Sequence, residues 1–274
     1  MSPAEEGEAF EALTRKISRE AGLTLDAYKD KCLRRRIAVR MRASGAHSYA
    51  EYQALLERDP DEYQRLKDTI TINVSRFYRN SETWELIRAT VLPGLCDQVT
   101  GDIRAWSAGC AAGEEPYTVA LLLADYLEAQ GRGNRLDRLT VDATDIDREC
   151  LERARTGRYR AEALVEVPPA VVSRYFERAG EEYQVVERVR RRVRVRAADL
   201  CADPPPGANY HLILCRNVVI YFERATQDRV FELFAGALAP GGYLILGKVE
   251  SLSGPARQQL TLLDPRERVY QRAA

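Results

Sequence analysis

The stretch IRAWSAGCAAGEEPYTVALLLADYLEAQ, residues 103–130, decides the fold of this chain. Its first six residues predict a buried strand, and the apolar spacing of residues 116–130 predicts a helix. Between them lies the glycine loop Gly109-Cys-Ala-Ala-Gly113, and Pro116 suits the first turn of a helix because it has no N–H to leave unpaired. A strand, a glycine loop and a helix in this order let a ligand approach the backbone closely.

The sequence that follows repeats this alternation of apolar strands and amphipathic helices. We predict further strands at Leu139–Thr144, His211–Cys215 and Tyr243–Leu246, and further helices at Asp147–Arg155 and Ala225–Leu238. Each helix follows its strand closely, which is typical of parallel strands joined by helical crossovers. The predicted fold class is therefore α/β.

Two segments depart from the alternation. Within about residues 160–198, Tyr183–Val186 and Val193–Arg196 have the pattern of two hairpin strands, which predicts a small antiparallel β insert. At the C-terminus, Leu260–Leu263 and Arg268–Gln271 flank a polar turn. This pair predicts a hairpin that adds antiparallel strands to the sheet edge.

The N-terminal part of the chain has a different texture. From Phe10 to about Arg88 the pattern is helical, with short breaks and no run of alternating β-branched residues. We predict an all-helical N-terminal domain with its linker at residues 1–80 and the α/β domain at residues 81–274.

Composition excludes several classes of protein. The chain has 41 Lys+Arg against 41 Asp+Glu, so the whole molecule has no net charge with which to attract a polyanion. Its six cysteines lack zinc-knuckle or CxxC spacing, and its two histidines poorly supply a metal site or a Ser-His-Asp triad. The N-terminus lacks a signal-peptide pattern, and the longest apolar run, Val119–Ala124, is too short for a bilayer. We expect a cytoplasmic protein with reduced thiols, no metal and no direct membrane insertion.

Two carboxylates, Glu114 and Glu115, open the helix after the glycine loop. They would repel a pyrophosphate, but they suit a ligand that carries hydroxyl groups and positive charge. S-adenosylmethionine has a sulfonium, an ammonium and a ribose, and so fits this description. The alternative is that acidic residues commonly occupy a first helical turn because the helix dipole favours them there.

Polar residues also follow two other predicted strands. Asp145 lies where α/β folds place an acidic residue on ribose hydroxyls, while Asp147 suits the N-cap of the next helix. Arg216 and Asn217 follow the His211–Cys215 strand. The chain lacks an Asn-Pro-Pro-aromatic turn for stacking a flipped base, and no cysteine follows a proline as cytosine-C5 chemistry requires, so methylation of nucleic acid is not expected.

Four blocks now identify the chain as similar to a known family. They are TINVSRFYR at 71–79, WSAGCAAGEEPY at 106–117, ATDID at 143–147 and CRNVVIYF at 215–222. In this order and spacing they resemble the CheR family of chemoreceptor glutamate O-methyltransferases. The resemblance covers nearly the whole chain.

The resemblance implies a class I, Rossmann-like methyltransferase domain that binds S-adenosylmethionine between the domains and releases S-adenosylhomocysteine. The methyl group would pass to glutamate side chains on chemoreceptor cytoplasmic helices. Carried over by position, the cofactor residues are Asn73, Ser75, Arg79, Ala108, Gly109, Glu114, Asp145, Asp199, Leu200, Arg216 and Asn217. The catalytic residues, which orient the substrate carboxylate, are Arg79, Asn217 and Tyr221, although Tyr221 is also a candidate core aromatic.

Residues 29–42 form a basic segment with seven cations and one anion. On a helix, Leu33, Ile37 and Met41 share one face, and Lys31, Arg35 and Arg42 lie nearly opposite. We expect these three cations to bind the acidic helical bundle of a receptor, as the resemblance implies; a solvated face is the alternative, and nucleic acid is the other generic ligand of a basic patch. We do not expect nucleic acid as a partner, and nothing requires more than a monomer.

The chain departs from the family pattern at three places. Gly247-Lys248-Val249-Glu250 replaces the common Gly-His-Ser-Glu, and Ser75 replaces a threonine often seen there. The insert turn within residues 178–183 is short, which predicts that the enzyme does not bind a receptor's C-terminal pentapeptide. Two alternatives stay open: a methyltransferase of another protein or a small molecule, and a cofactor-binding regulatory protein with little catalysis.

Overall fold

The computed structural model describes residues 3–71 and 75–273, which form two compact units. The first unit contains the N-terminal helices together with Tyr221–Thr226, and the second contains the rest of the described chain. Asn73, one of the predicted cofactor residues, lies outside the described residues.

The first unit is built from helices, as the sequence predicts. They are α1 (Pro3–Ala21), α2 (Asp30–Ser44), α3 (Tyr49–Arg58) and α4 (Pro60–Thr71). α2 ends at Gly45, whose φ of 75° closes the helix in a left-handed cap that glycine adopts without steric cost. Tyr221–Thr226 joins this unit through backbone bonds, because Lys29 N donates to Tyr221 O (2.8 Å) and Glu223 N donates to Ala27 O (2.8 Å).

The remaining elements begin with short helices and continue as alternating strands and helices. The helices are α5 (Ser81–Leu86), α6 (Leu92–Gln98), α7 (Glu114–Ala129), α8 (Arg148–Thr156), α9 (Pro169–Tyr175), α10 (Glu187–Arg190) and α11 (Arg224–Ala237), with a π-helical segment at Ile87–Val91. The strands are β1 (Ile103–Ala108), β2 (Leu139–Asp145), β3 (Arg158–Arg160), β4 (Phe176–Ala179), β5 (Glu182–Val185), β6 (Val193–Ala197), β7 (Tyr210–Cys215), β8 (Leu238–Leu246), β9 (Leu260–Asp264) and β10 (Val269–Arg272).

A seven-stranded sheet forms the centre of the second unit, in the order β6-β2-β1-β7-β8-β10-β9. The first five strands in this order run parallel, and the pairs β8–β10 and β10–β9 are antiparallel. The predicted α/β fold and the predicted C-terminal hairpin are both confirmed. The carboxyl ends of the parallel strands meet at one edge, where open α/β sheets bind ligands.

A second, three-stranded antiparallel sheet has the order β3-β5-β4. The expected pairing of Tyr183–Val186 with Val193–Arg196 is wrong, because β5 pairs with β3 and β4, and β6 runs parallel to β2 in the main sheet. In β6, Val193 and Val195 pack against a small buried cluster, and the alternating arginines face away from it. The alternation correctly indicated a half-exposed strand, but alternation does not specify the partner strand.

The core of the second unit lies between the sheet and α7, whose middle turns are almost entirely buried. Both tryptophans, Trp84 and Trp106, are buried in this unit. All six cysteines are free thiols. Within residues 3–71 and 75–273, no helix combines the length and apolar character needed to cross a membrane.

Candidate functional site

The glycine loop after β1 is held in a conformation that few other residues could adopt. Gly109 has φ 80°, and a Cβ on this residue would lie 2.4 Å from Val218 Cγ2. Gly109 N and Cys110 N both donate to Thr144 O, at 2.8 and 3.0 Å. These bonds fix the loop against the end of β2 and place the start of α7 at the carboxyl edge of the sheet.

Asp145, the last residue of β2, binds the same loop. Its Oδ2 accepts from Ala111 N (2.8 Å), and its Oδ1 accepts from Asp147 N (3.0 Å). Burial raises the pKa of Asp145, although the backbone N–H groups of Asp147 and Ala111 lower it. An ionised carboxylate has about four acceptor positions, so Asp145 retains capacity for hydroxyl donors.

Asp147 has the capping role that the sequence offered as an alternative. Its Oδ1 accepts from Glu149 N (2.9 Å) and Cys150 N (3.1 Å) at the start of α8. The two neighbouring carboxylates therefore serve different purposes: Asp147 closes a helix, and Asp145 faces the glycine loop.

Glu114 begins α7 and is only 6% exposed. Its Oε2 has no hydrogen-bond partner in the part of the chain that the structure describes. Burial raises the pKa of Glu114, whereas its own backbone N–H, the charge of Arg153 and the hydroxyl of Ser75 lower it. A buried carboxylate oxygen without a donor is costly, so this position calls for a cationic or hydroxyl donor from a ligand.

Glu115, the next residue, binds other side chains of the protein instead. Its Oε1 accepts from Ser107 Oγ (2.8 Å), and its Oε2 lies 3.6 Å from Arg216 Nη1. Burial raises the pKa of Glu115, while the charge of Arg216 and the hydrogen bond from Ser107 lower it. Of the two carboxylates that open α7, only Glu114 keeps an oxygen available for a ligand.

Arg216, at the end of β7, is buried and organises the segment that precedes α5. Its Nη2 donates to Arg79 O (2.9 Å) and to Asn80 Oδ1 (3.0 Å), and its guanidinium lies 5.3 Å from the centre of the Trp84 ring. Trp84 Nε1 also donates to Arg79 O (3.0 Å). The structure thus brings two predicted site residues, Arg79 and Arg216, together beside Glu115.

Asn217 follows Arg216 and has φ 62°, in the left-handed region that non-glycine residues rarely occupy. Its backbone N–H donates to Glu250 Oε2 (2.9 Å). Its side-chain Oδ1 is buried and has no hydrogen-bond partner among the described residues. This is a second acceptor at the same edge of the sheet that the protein itself leaves unsatisfied.

The other cofactor residues predicted in this unit lie at the same edge. Ala108 is the buried last residue of β1, and Ser75 is half-buried beside Glu114. Asp199 and Leu200 follow β6, where Ala198 N donates to Asp145 O (2.9 Å) and ties this segment to the end of β2. All the predicted cofactor residues that the structure describes therefore follow or adjoin the ends of the parallel strands or the start of α7.

Tyr221 and the basic residues of α2 belong to the first unit. The guanidinium of Arg36 lies 4.2 Å from the centre of the Tyr221 ring, and burial lowers the pKa of Arg36. On α2, Leu33 and Ile37 are buried. Lys31, Arg35 and Arg42 are exposed, as the helical periodicity predicts.

The residues at the sheet edge fit S-adenosylmethionine in their chemistry. The unsatisfied oxygens of Glu114 and Asn217 are acceptors, and Asp145 has acceptor capacity beside a glycine loop. An ammonium group and ribose hydroxyls are the complementary donors. Burial raises the pKa of the Cys110 and Cys215 thiols well above the ordinary value, which disfavours a thiolate nucleophile here.

Sequence reasoning missed two features of this site. One is the internal use of Glu115, and the other is Glu250, a buried carboxylate that binds the loop after β7. A signal for Glu250 was present, because it ends the Gly247–Glu250 motif in which only the two middle residues depart from the family pattern.

Comparison with known proteins gives a consistent picture. Residues 73–268 match the family model described as CheR methyltransferase, SAM binding domain, and residues 8–71 match CheR methyltransferase, all-alpha domain. A chemotaxis protein methyltransferase of Listeria monocytogenes is 33% identical over 251 residues, which cover 92% of this chain and 93% of that protein. One from Escherichia coli is 34% identical over 252 residues, covering 89% of this chain and 84% of that protein.

Proposed function

Because this chain belongs to the CheR methyltransferase family, we propose that it methylates glutamate carboxylates on the cytoplasmic helical bundle of a chemoreceptor. It is an S-adenosylmethionine-dependent methyltransferase, and chemoreceptors are its substrates. The glutamate acceptor, action as a monomer and a cytoplasmic location are parts of the proposal.

One observation carries the cofactor side of this proposal. Glu114 Oε2 is buried and unsatisfied at the end of a glycine loop, with Asp145 on the adjacent strand. We assign Glu114 to the ammonium group, Asp145 to the ribose hydroxyls and the segment Asp199–Leu200 to the adenine. Ser75 would support the ammonium side through its hydrogen bond to Glu114.

The reaction does not require an acid–base pair in the site. A glutamate side chain has an ordinary pKa of about 4.3, so it is ionised at neutral pH and needs no general base. Bound S-adenosylmethionine supplies a methyl group that its sulfonium makes electrophilic. The protein therefore has to align the carboxylate with that methyl group and exclude water from it.

Arg79 is our candidate for orienting the substrate carboxylate, because a guanidinium can bind both carboxylate oxygens. Its backbone carbonyl is fixed by Trp84 and Arg216, and its neighbours Tyr78 and Asn80 have φ values of 53° and 61°. Such a constrained backbone fixes the point from which the Arg79 side chain extends. Asn217 and Tyr221 complete the proposed catalytic group.

The exposed cations Lys31, Arg35 and Arg42 form the proposed receptor-binding face of α2. Glutamate-rich receptor helices would be attracted to it and held in register by charge complementarity. This contact is expected to be sensitive to salt, because exposed charges are screened over about 8 Å at physiological ionic strength.

We also propose that the enzyme does not use a receptor's C-terminal pentapeptide. Support comes from the turn between β4 and β5, which consists of only two residues, Gly180 and Glu181. Such a turn adds no loop surface with which to hold a peptide. Calorimetric titration with the pentapeptide should give no binding heat, and tight binding would refute this part of the proposal.

The proposed function is tested by transfer of labelled methyl from S-adenosylmethionine to a chemoreceptor cytoplasmic fragment. We expect incorporated label that alkali releases as methanol, because carboxyl esters are base-labile and N-methyl groups are not. A fragment with its methylation-site glutamates replaced by alanine is the substrate control. Label that resists alkali would contradict glutamate methylation, and no label despite cofactor binding would favour the regulatory alternative.

A further inference from the structure

Glu250 is a buried carboxylate, 2% exposed, that accepts four backbone N–H groups. Its Oε1 accepts from Val218 N (2.9 Å) and Ile220 N (3.3 Å), and its Oε2 accepts from Gly247 N (2.6 Å) and Asn217 N (2.9 Å). Three of these donors belong to the loop after β7. A residue that follows β8 thus fixes the loop of the neighbouring strand.

This geometry requires a carboxylate. Each Glu250 oxygen receives two N–H donors, and a glutamine would place an NH2 group against two of them. Hydrogen bonds to an ionised acceptor are about twice as strong as neutral ones, so the four bonds hold the loop firmly. Burial raises the pKa of Glu250, and the four backbone N–H groups oppose that rise.

The anchor holds the backbone at Asn217. A left-handed backbone is uncommon outside glycine, asparagine is among the residues that tolerate it best, and Asn217 adopts it with φ 62°. The bond from Asn217 N to Glu250 stabilises this conformation, and Asn217 Oδ1 is buried without a hydrogen-bond partner in the described part of the chain. Gly247 provides the space, because a Cβ there would lie 2.7 Å from Glu250 Oε2 and 2.9 Å from Asn217 N.

The two residues between Gly247 and Glu250 take no part in the anchor. Glu250 N donates to Gly247 O (2.8 Å), which closes a turn that carries Lys248 and Val249 on its outside. Val249 is 74% exposed, and Lys248 Nζ pairs with Glu82 (3.3 Å) and Glu267 (3.1 Å). The anchor therefore depends on Gly247 and Glu250, the two residues of the motif that match the family pattern.

We propose that Glu250 is a positioning residue for methyl transfer, which acts by holding Asn217 in its left-handed conformation. A corollary is that Lys248 and Val249, the two departures from the family pattern, do not impair turnover. The inference rests on the proposed catalytic role of Asn217. It assigns Glu250 no contact with cofactor or substrate.

A double-mutant cycle tests this mechanism. We expect Asn217→Ala and Glu250→Gln each to lower kcat for receptor methylation by about 10- to 100-fold, in the range typical of lost positioning. Because Glu250 acts through Asn217, the two losses of kcat should not multiply. The kcat of the double variant should lie no more than about twofold below that of the less active single variant. Circular dichroism and the fluorescence of Trp84 and Trp106 check that each variant is folded.

If the Glu250→Gln variant does not fold, a second substitution tests the same hydrogen bonds between Glu250 and the loop after β7. Gly247→Ala places a methyl group against both Glu250 and Asn217, so it should lower kcat by at least about tenfold. Gly236→Ala is the matched control, because a Cβ at Gly236 has no atom within 4 Å. It should leave kcat within about twofold of wild type.

The outcomes separate the inference from the function on which it rests. If the fold loss of kcat in the double variant equals the product of the two single losses, the positioning role of Glu250 is overturned and the role of Asn217 is left intact. Full turnover of Asn217→Ala would overturn both. Restoring the family pair with Lys248→His and Val249→Ser should change kcat by no more than about twofold, and a tenfold gain would overturn the corollary.

Discussion

The molecule uses arginine in two contrasting regions. At the carboxyl edge of the sheet, Arg216 is buried, with its guanidinium bonded to Arg79 O and Asn80 and paired with Glu115. On α2, Arg35 and Arg42 are exposed to solvent. Arginine therefore forms buried hydrogen bonds and an ion pair in one region, and it presents an exposed charge in the other.

The contrast shows what each region can contribute to the reaction. A buried pair costs several kcal/mol if one partner is removed, because the other charge is left without compensation. An exposed charge contributes little to stability, but it attracts a complementary surface and raises the rate of encounter. We therefore expect substitutions at the sheet edge to affect stability and cofactor binding, and those on α2 to affect the apparent KM for receptor.

The largest effect is expected for Arg216→Ala. It removes the cation that lies nearest to the buried Glu115 carboxylate, and the free energy of unfolding should fall by about 3–5 kcal/mol. Urea titration followed by tryptophan fluorescence measures this, since both tryptophans lie in the second unit. Arg257→Ala, at an exposed arginine, should cost no more than about 0.5 kcal/mol. Equal losses in the two variants would remove the contrast between buried and exposed arginines.

A smaller but still large effect is expected for Glu114→Gln. The substitution removes the charge that we propose faces the cofactor ammonium group, and loss of a charged hydrogen bond of about 1.5–3 kcal/mol corresponds to roughly 10- to 100-fold in Kd. Calorimetry with S-adenosylhomocysteine measures the change. Glu149→Gln is the matched control, because Glu149 is an exposed acid in the first turn of α8. Unchanged affinity of Glu114→Gln would remove Glu114 from the site.

The pH dependence of cofactor binding also distinguishes the buried Glu114 from an ordinary exposed glutamate. Since burial raises the pKa of Glu114, its carboxylate should become protonated on acidification before an ordinary glutamate does, and cofactor affinity should fall at a pH above the ordinary glutamate range. The raised pKa means that protonating Glu114 favours the cofactor-free fold, so Glu114 itself does not contribute to acid unfolding. Glu114→Gln should have a flatter profile, and an identical acid limb in the variant would assign the titration to another group.

Among the substitutions, the smallest effect is expected on α2. Reversing Arg35 and Arg42 to glutamate should raise the apparent KM for receptor by about 5- to 10-fold at low salt, and by less at high salt, with kcat and cofactor Kd unchanged. Reversing Arg19 and Arg58, exposed arginines of α1 and α3, is the matched control and should leave KM within about twofold. If both double variants raise KM equally, overall charge rather than the α2 face attracts the receptor.

Much of the fold could be predicted from local sequence patterns. The bounds of β1 are those predicted, Ile103–Ala108, and α7 begins two residues before the predicted start at Pro116. The C-terminal hairpin was also predicted, because its two strands are close in sequence and flank a recognisable turn. The pairing of β6 was predicted wrongly, because its partner β2 lies about fifty residues earlier.

The candidate site, like the fold, was predicted from the sequence only in part. The sequence identified the glycine loop, the acidic start of α7 and the residues after β7, because these are contiguous blocks. Residue type alone did not distinguish Glu114 from Glu115, and it was the family resemblance that assigned Glu114 to the cofactor. Only the positions of Ser107, on β1, and of Arg216, directly after β7, show that Glu115 is bound within the protein.

The sequence by itself determined the order of strands and helices, the glycine loop and the family, because periodicity and motif spacing are local properties of the chain. Tertiary structure alone decided which charges are used within the protein and which remain available. Arg216 is a buried, paired cation and not an exposed one, because β7 places it beside Glu115. Glu250 binds the loop after β7 because β8 lies next to β7. Hydrogen bonding and burial depend on which distant segments meet, and that is a property of the packed sheet.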